Sequence, residues 1–169
     1  MAETVYLLLG SNLGDRKAFL DQARERLADI EGLEVIALSP VYVTEAKEMK
    51  GEAPSFLNQV VKAEYAFNPG ELLSATEAIE RGFGRSEKGD KKPRTIDIDI
   101  LLFGDRTIET DRLTIPHPRL LKRPFAMVPL LEIDPEIVHP GTGKPVADSL
   151  KASDRKDIIL YEDYVARSL

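Results

Sequence analysis

The chain has 169 residues, of which 43% are hydrophobic and 31% charged, with a net charge of −6 and no cysteine. That length suits one domain with a real core, so a single domain over 1–169 is expected. No apolar run approaches the ~20 residues needed to span a bilayer, the acidic balance argues against a duplex nucleic-acid partner, and without cysteine there is neither a disulfide nor cysteine-ligated zinc.

The opening Met-Ala-Glu-Thr-Val lacks the basic region of a signal peptide, and the absence of cysteine is compatible with a reducing cytoplasm; a cytoplasmic location and a monomer are the expectations. The basic residues are not evenly spread. Arg85, Lys88, Lys91, Lys92 and Arg94 form one group and Arg112, Arg119, Lys122 and Arg123 another. Local positive clusters on an acidic chain suit a small polyanion of nucleotide size.

In chain order, the apolar run 5–9 ending at Gly10-Ser11-Asn12 predicts a buried strand closed by a turn. Leu20, Ala23, Leu27 and Ile30 recur at helical intervals and predict a helix over 15–30, with Ser11 or Asn12 as its cap and Gly32 after its end. Residues 33–44 are β-rich, and Pro40 marks an edge position or a bulge. Residues 45–54 read as a polar loop. A strand follows over 56–67, with Val61, Ala63, Tyr65 and Phe67 on one face.

Asn68-Pro69-Gly70-Glu71 is a strong helix start, with an N-cap Asn and Pro at the first position. Leu72, Ile79 and Phe83 give that helix its stripe, and Gly82 and Gly84 break it. Residues 86–92 read as a second polar loop. Gly104-Asp105 predicts a turn from which 107–109 pairs back as a short strand. Residues 125–132 are apolar, short and broken by Pro129, and the tail from 154 to 169 has no readable element. Strand–helix–strand–strand–helix–strand is the ferredoxin-like βαββαβ order. The expected class is therefore α+β, with a mostly antiparallel sheet and helices on both faces in three αβα layers.

The stretch with most chemistry is Pro93-Arg94-Thr95-Ile96-Asp97-Ile98-Asp99-Ile100. Its period of two predicts a strand over 93–103, with Ile96, Ile98, Ile100 and Leu102 on one side. Asp97 and Asp99 then share the other side, roughly 6–7 Å apart. Two carboxylates that close on a rigid ribbon repel unless a cation lies between them, and Mg²⁺ takes one or two carboxylates plus substrate phosphates. The bare Asp-x-Asp spacing is common, and a solvated acidic face with local ion pairs explains it equally well. The surrounding apolar run and the basic residues upstream favour the metal reading.

Five motifs in order carry a resemblance: Gly10-Ser11-Asn12-Leu13-Gly14, Phe56-Leu57-Asn58, Gly84-Arg85, Pro93 to Ile100, and Pro116-His117-Pro118-Arg119 with Arg123-Pro124-Phe125. Together they strongly resemble the 6-hydroxymethyl-7,8-dihydropterin pyrophosphokinase family over about residues 5–140. The resemblance implies transfer of pyrophosphate from ATP to the pterin hydroxymethyl group with release of AMP. It implies that Asp97 and Asp99 hold two Mg²⁺ ions and that Arg85 and Arg94 neutralise phosphate charge. It places Glu80, Lys88, Arg112, His117 and Arg123 on the ATP side, with Lys91 an alternative to Lys88. It gives the pterin to Asn58, to Phe56 and Phe125 as stacking rings, and to backbone around Gly10 and Thr44.

From the residues alone, Glu80 reads as a solvated helical carboxylate and the two phenylalanines as core. The chain departs from the family pattern in lacking a tryptophan before Pro93, in a shorter 86–92 loop, in Phe56 where tyrosine is frequent, and in a 45–54 loop without Pro-x-Gly. The rival readings are a non-catalytic ferredoxin-like module that binds a nucleotide or pterin, and a metal-dependent nucleotidyl- or glycosyltransferase.

Overall fold

The structure, a computed structural model, describes residues 2–44, 55–83 and 96–167. Its elements run β1 (Glu3–Ser11), α1 (Arg16–Ala28), β2 (Leu33–Leu38), β3 (Tyr42–Thr44), β4 (Phe56–Tyr65), α2 (Pro69–Gly82) and β5 (Asp97–Phe103). They continue with β6 (Ile108–Glu109), β7 (Thr114–Ile115), α3 (Pro124–Ile133), β8 (Ile158–Leu160) and α4 (Tyr161–Arg167). The main sheet has the order β5-β1-β4-β3-β8, with β2 also paired to β4. Every pairing in it is antiparallel. β1 and the second half of the βαββαβ unit interleave, as the strand–helix pattern predicts.

Two apolar layers flank the sheet. On one face Val5, Leu7, Leu9, Val61, Ala63, Ile98 and Ile100 pack on Leu20, Ala23 and Leu27 of α1 and Leu72 and Ile79 of α2. On the other, Tyr6, Leu8, Val60, Leu101 and Leu102 pack on Ala126, Met127, Leu130 and Leu131 of α3. Each fully buried leucine contributes about 2–3 kcal/mol, so both layers are needed to hold the sheet flat between helices. The three-layer expectation is met.

Local rules set most boundaries. The Asn68 side chain accepts the Glu71 N–H at 2.8 Å, an N-cap worth about 1 kcal/mol. α1 is capped differently from the expectation. Asp15 accepts the Ala18 N–H, while Ser11 and Asn12 are fully buried at the end of β1. Gly32 follows α1 at φ +82°, and a Cβ there would meet the Phe67 ring at 2.6 Å, so the turn needs glycine on both counts.

Other elements depart from what the pattern predicts. The 33–44 segment is two strands, split where Ser39 turns its hydroxyl to the Val60 N–H ahead of Pro40. In β5 the register against β1 shifts between Tyr6 and Leu7, which pair with Leu102 and Ile100. Leu101 is the extra residue, and beyond it the alternation changes phase. Leu102 therefore joins Asp97 and Asp99 on the α3 face rather than the three isoleucines.

Residues 108–109 pair with β7 rather than back on β5. The apolar 125–132 run is helical with Pro129 inside it. The lost backbone donor costs about 3 kcal/mol, and the burial of Ala126 to Leu131 on the sheet offsets it. The tail adds β8 to the free edge of β3 and closes with α4.

Asp134, at the C-terminal end of α3, ties that helix to the sheet. It accepts the Tyr6 hydroxyl and lies 3.0 Å from Lys62 Nζ. Burial opposes its ionisation, but the hydrogen bonds from Tyr6 and Lys62 outweigh it and hold the carboxyl below its ordinary range. A carboxyl depressed in the folded state stabilises it above the unfolded-state value and loses that contribution as pH falls through the folded one. Asp134→Asn is therefore expected to cost about 1.5–3 kcal/mol at neutral pH. The difference from wild type should shrink below about pH 4, the ordinary carboxylate value, in urea unfolding measured across the acid range.

Candidate active site

Cross-strand partners share a face of a sheet. Asp97 faces Gly10 and Asp99 faces Leu8 across β5 and β1, while Gly10 faces Asn58 and Asn58 faces Tyr42 across β1, β4 and β3. Thr44 faces Phe56 one step further on. Because Leu8 and Val60 belong to the α3 layer, these residues open on that same face, at one end of the sheet. Two of the predicted groups thus meet there: the β5 carboxylates on one side, and Asn58, Phe56 and Thr44 on the other. Gly10 divides them. A Cβ on Gly10 would make only ordinary contacts, 3.6 Å from Asn58 Nδ2, so the glycine keeps open a space that a side chain would fill.

Asp99 is the better defined carboxylate. Its side chain is 13% exposed, with Arg123 Nη1 at 3.8 Å and His117 Nε2 at 4.0 Å. His117 Nδ1 accepts the Arg119 N–H at 3.1 Å, so the neutral ring carries its proton on Nε2, toward Asp99. Arg123 is the N-cap residue of α3 and its guanidinium lies 5.5 Å from the Phe125 ring. The start of α3 thus places one predicted ATP-side residue and one predicted stacking ring next to each other.

On the Asn58 side, three buried polar atoms accept or donate no hydrogen bond among the described residues: Asn58 Oδ1, Thr44 Oγ1 and Ser11 Oγ. A buried polar atom without a partner costs about 1–3 kcal/mol. Two of the three, Asn58 directly opposite Gly10 and Thr44 opposite Phe56, lie on the α3 face, where a polar ligand would satisfy them. Phe56 and Phe125 are half-buried, which leaves ring surface for a flat partner.

Glu80 differs from its bland reading. It is 3% exposed, and its Oε2 accepts the Ile98 N–H at 2.9 Å. Ile98 lies between the two aspartates on an edge strand, where outward N–H groups have no strand to bond. α2 therefore supplies the missing acceptor and holds β5 at that point. Sequence missed this because an edge is a property of sheet order. Arg112 gives its guanidinium to Glu77 of α2 at 2.6 Å, with its side chain 65% exposed. Arg85, Lys88, Lys91 and Arg94 lie outside the described residues, as do the 45–54 and 86–92 segments.

Among the described residues no group of three or more His, Cys, Asp and Glu side chains could hold a metal. A pair of carboxylates on one face still suits a hard cation that completes its shell with phosphate and water oxygens, and the donor set therefore fits Mg²⁺. Among the described residues no helix is long and apolar enough to cross a membrane. Replacement of Glu80 by alanine is expected to cost about 1–3 kcal/mol in urea unfolding, because the Ile98 N–H loses its acceptor. Glu80→Gln keeps an acceptor oxygen and should cost less than half as much; equal losses would mean that the charge, not the acceptor, matters.

Comparison with known proteins gives the family. The family model described as 7,8-dihydro-6-hydroxymethylpterin-pyrophosphokinase (HPPK) matches residues 6–135. The chain is 44% identical over 145 residues to 2-amino-4-hydroxy-6-hydroxymethyldihydropteridine pyrophosphokinase of Aquifex aeolicus, covering 86% of this chain and 89% of that protein. It is 42% identical over 159 residues to the folic acid synthesis protein fol1 of Schizosaccharomyces pombe, covering 94% of this chain but only 22% of that longer protein. A solved wild-type HPPK-DHPS chain of Plasmodium falciparum superposes with a TM-score of 0.67 at 16% identity, over 99% of this chain and 45% of that one, which speaks for the fold. The chain belongs to the 7,8-dihydro-6-hydroxymethylpterin-pyrophosphokinase family.

Proposed function

We propose that this chain transfers pyrophosphate from ATP to the hydroxymethyl group of 6-hydroxymethyl-7,8-dihydropterin. The pterin oxygen attacks the β-phosphorus, the bond from that phosphorus to the α-phosphate oxygen breaks, and AMP leaves. Family membership supports the reaction class. The observation that carries it on this chain is the pair of β5 carboxylates on the same face as Asn58, Asp97 in line with it across Gly10, with the buried Asn58 Oδ1 unpartnered among the described residues.

Phosphoryl transfer is mainly positioning and charge neutralisation. Asp97 and Asp99 would hold two Mg²⁺ ions, which would supply positive charge to neutralise the triphosphate. Arg123 and His117, already within 4.0 Å of Asp99, add donors at the margin of the same site, where phosphate oxygens need them. The family resemblance gives Arg85 and Arg94, with Lys88 or Lys91, the same neutralising role, and Arg112 a place on the ATP side. Glu80 contributes through the backbone of β5 rather than by touching ATP. On the pterin side, Asn58 offers both a donor and an acceptor to the ring edge, Thr44 adds its hydroxyl, and Phe56 and Phe125 stack on the ring.

Among the described residues, Asp97, Asp99, Asn58, Phe56 and Thr44 come from one sheet and Arg123 and Phe125 from the start of α3, which suits a monomer. ATP as co-substrate suits a cytoplasmic location.

The test is product identity. AMP should appear from Mg-ATP only when the hydroxymethyl-dihydropterin is added; ADP, or binding without turnover, would favour another transferase or a binding module. Asp97→Asn should cut turnover by orders of magnitude at an unchanged melting temperature, because a neutral amide holds the cation poorly. Near-normal turnover of that variant would remove the metal assignment.

A further inference from the structure

Arg16 opens α1, and its place there is unfavourable by itself. The first turn of a helix presents partial positive charge, and a cation in it costs a few tenths of a kcal/mol to about 1 kcal/mol. The first turn itself holds no acidic residue, and the Asp15 N-cap carboxylate is engaged with the Ala18 N–H. The guanidinium instead leaves the helix. Its Nη1 donates to the Ser55 carbonyl oxygen at 2.5 Å and to Ser55 Oγ at 2.9 Å, across 39 residues of sequence.

Ser55 immediately precedes β4. Leu57, two residues on, is buried in the layer that α1 covers, so Ser55 shares the α1 side. Phe56 between them is turned to the opposite face, beside Thr44. A residue whose two neighbours are both held on one side of a sheet has little freedom in the direction of its own side chain.

We propose that Arg16 is a positioning residue for the pterin: by holding Ser55 against α1 it fixes the backbone that aims the Phe56 ring across the sheet end toward Phe125. This rests on the pterin reading of the site. Arg16 touches no substrate in this account. Its effect reaches the ligand through one aromatic ring, and stacking is sensitive to ring offset. A displacement near 1 Å at a binding group is enough to matter.

The experiment compares pterin and nucleotide separately. For Arg16→Ala, the KM for the dihydropterin and the Kd for 6-hydroxymethylpterin should rise about tenfold, as expected for loss of a charge-assisted anchor, with a smaller change in kcat. The Kd for a non-hydrolysable ATP analogue should stay within about twofold of wild type, inside the usual scatter of uncoupled sites. Arg16→Lys, which retains a single donor centre, should recover part of the pterin affinity.

The decisive arm is a double-mutant cycle. In a Phe56→Ala background, Arg16→Ala should weaken pterin binding no further. Equal losses for pterin and nucleotide, or a full Arg16 effect without Phe56, would overturn the proposal. If Arg16→Ala does not fold, Ser55→Ala removes one of the two contacts and must show the same pterin-only pattern at smaller size; its absence overturns the proposal as well. Pterin affinity is read without turnover. A wild-type chain that binds pterin yet forms no AMP therefore overturns the transferase reading, while the Arg16 cycle decides this one.

Discussion

An edge strand that carries two like charges on one face has to be held from outside the sheet. Among the described residues β5 has β1 on one side only, and its outward backbone groups need partners from outside the sheet if the strand is not to fray and let the carboxylates diverge. The buried Glu80 carboxylate accepts the Ile98 N–H between Asp97 and Asp99, and the His117 N–H donates to the Leu101 carbonyl beyond them at 2.9 Å. The second contact also brings the His117 ring to Asp99. Pinned on both edges, the strand keeps its two acidic side chains together despite their repulsion, and that is the condition for gripping one cluster of cations on the proposed reading.

The rest of the site follows from strand order. With β5, β1 and β4 adjacent, the acidic half and the half around Asn58 lie two strand spacings apart, about 10 Å, with a glycine on the strand between. A larger residue than Gly10 would fill the gap where, in the proposed function, the pterin oxygen meets the triphosphate. α3 covers the same face, and its first residues bring Arg123 beside Asp99 and the Phe125 ring beside Arg123. The cost of the design lies in the buried polar atoms of Asn58 and Thr44 that have no partner among the described residues. Such groups destabilise the ligand-free protein and stabilise a complex that satisfies them.

Much of this was legible in residue order. Period-two alternation placed Asp97 and Asp99 together, and Asn68-Pro69 marked the start of α2, because both depend on neighbours a few residues away. The alternation misled beyond Ile100, since a bulge is a property of two strands in register and leaves little mark on one. Glu80 looked solvated because the edge it serves exists only once the sheet is assembled. Arg16 carried a faint signal, a cation where the helix field disfavours one, whose partner 39 residues away could not be named from sequence. The tail was unreadable because β8 is three residues long and is a strand only through its pairing with β3.

Sequence by itself determined the α+β class, the βαββαβ order, the acidic pair and the family motifs, all carried by local periodicity and fixed spacing. Tertiary structure alone decided which strand is an edge, what seals it, and which buried oxygens have no partner. It also decided that α3 covers the site face. Those are relations between segments far apart in the chain, set by packing and hydrogen-bond geometry that no short window of residues contains.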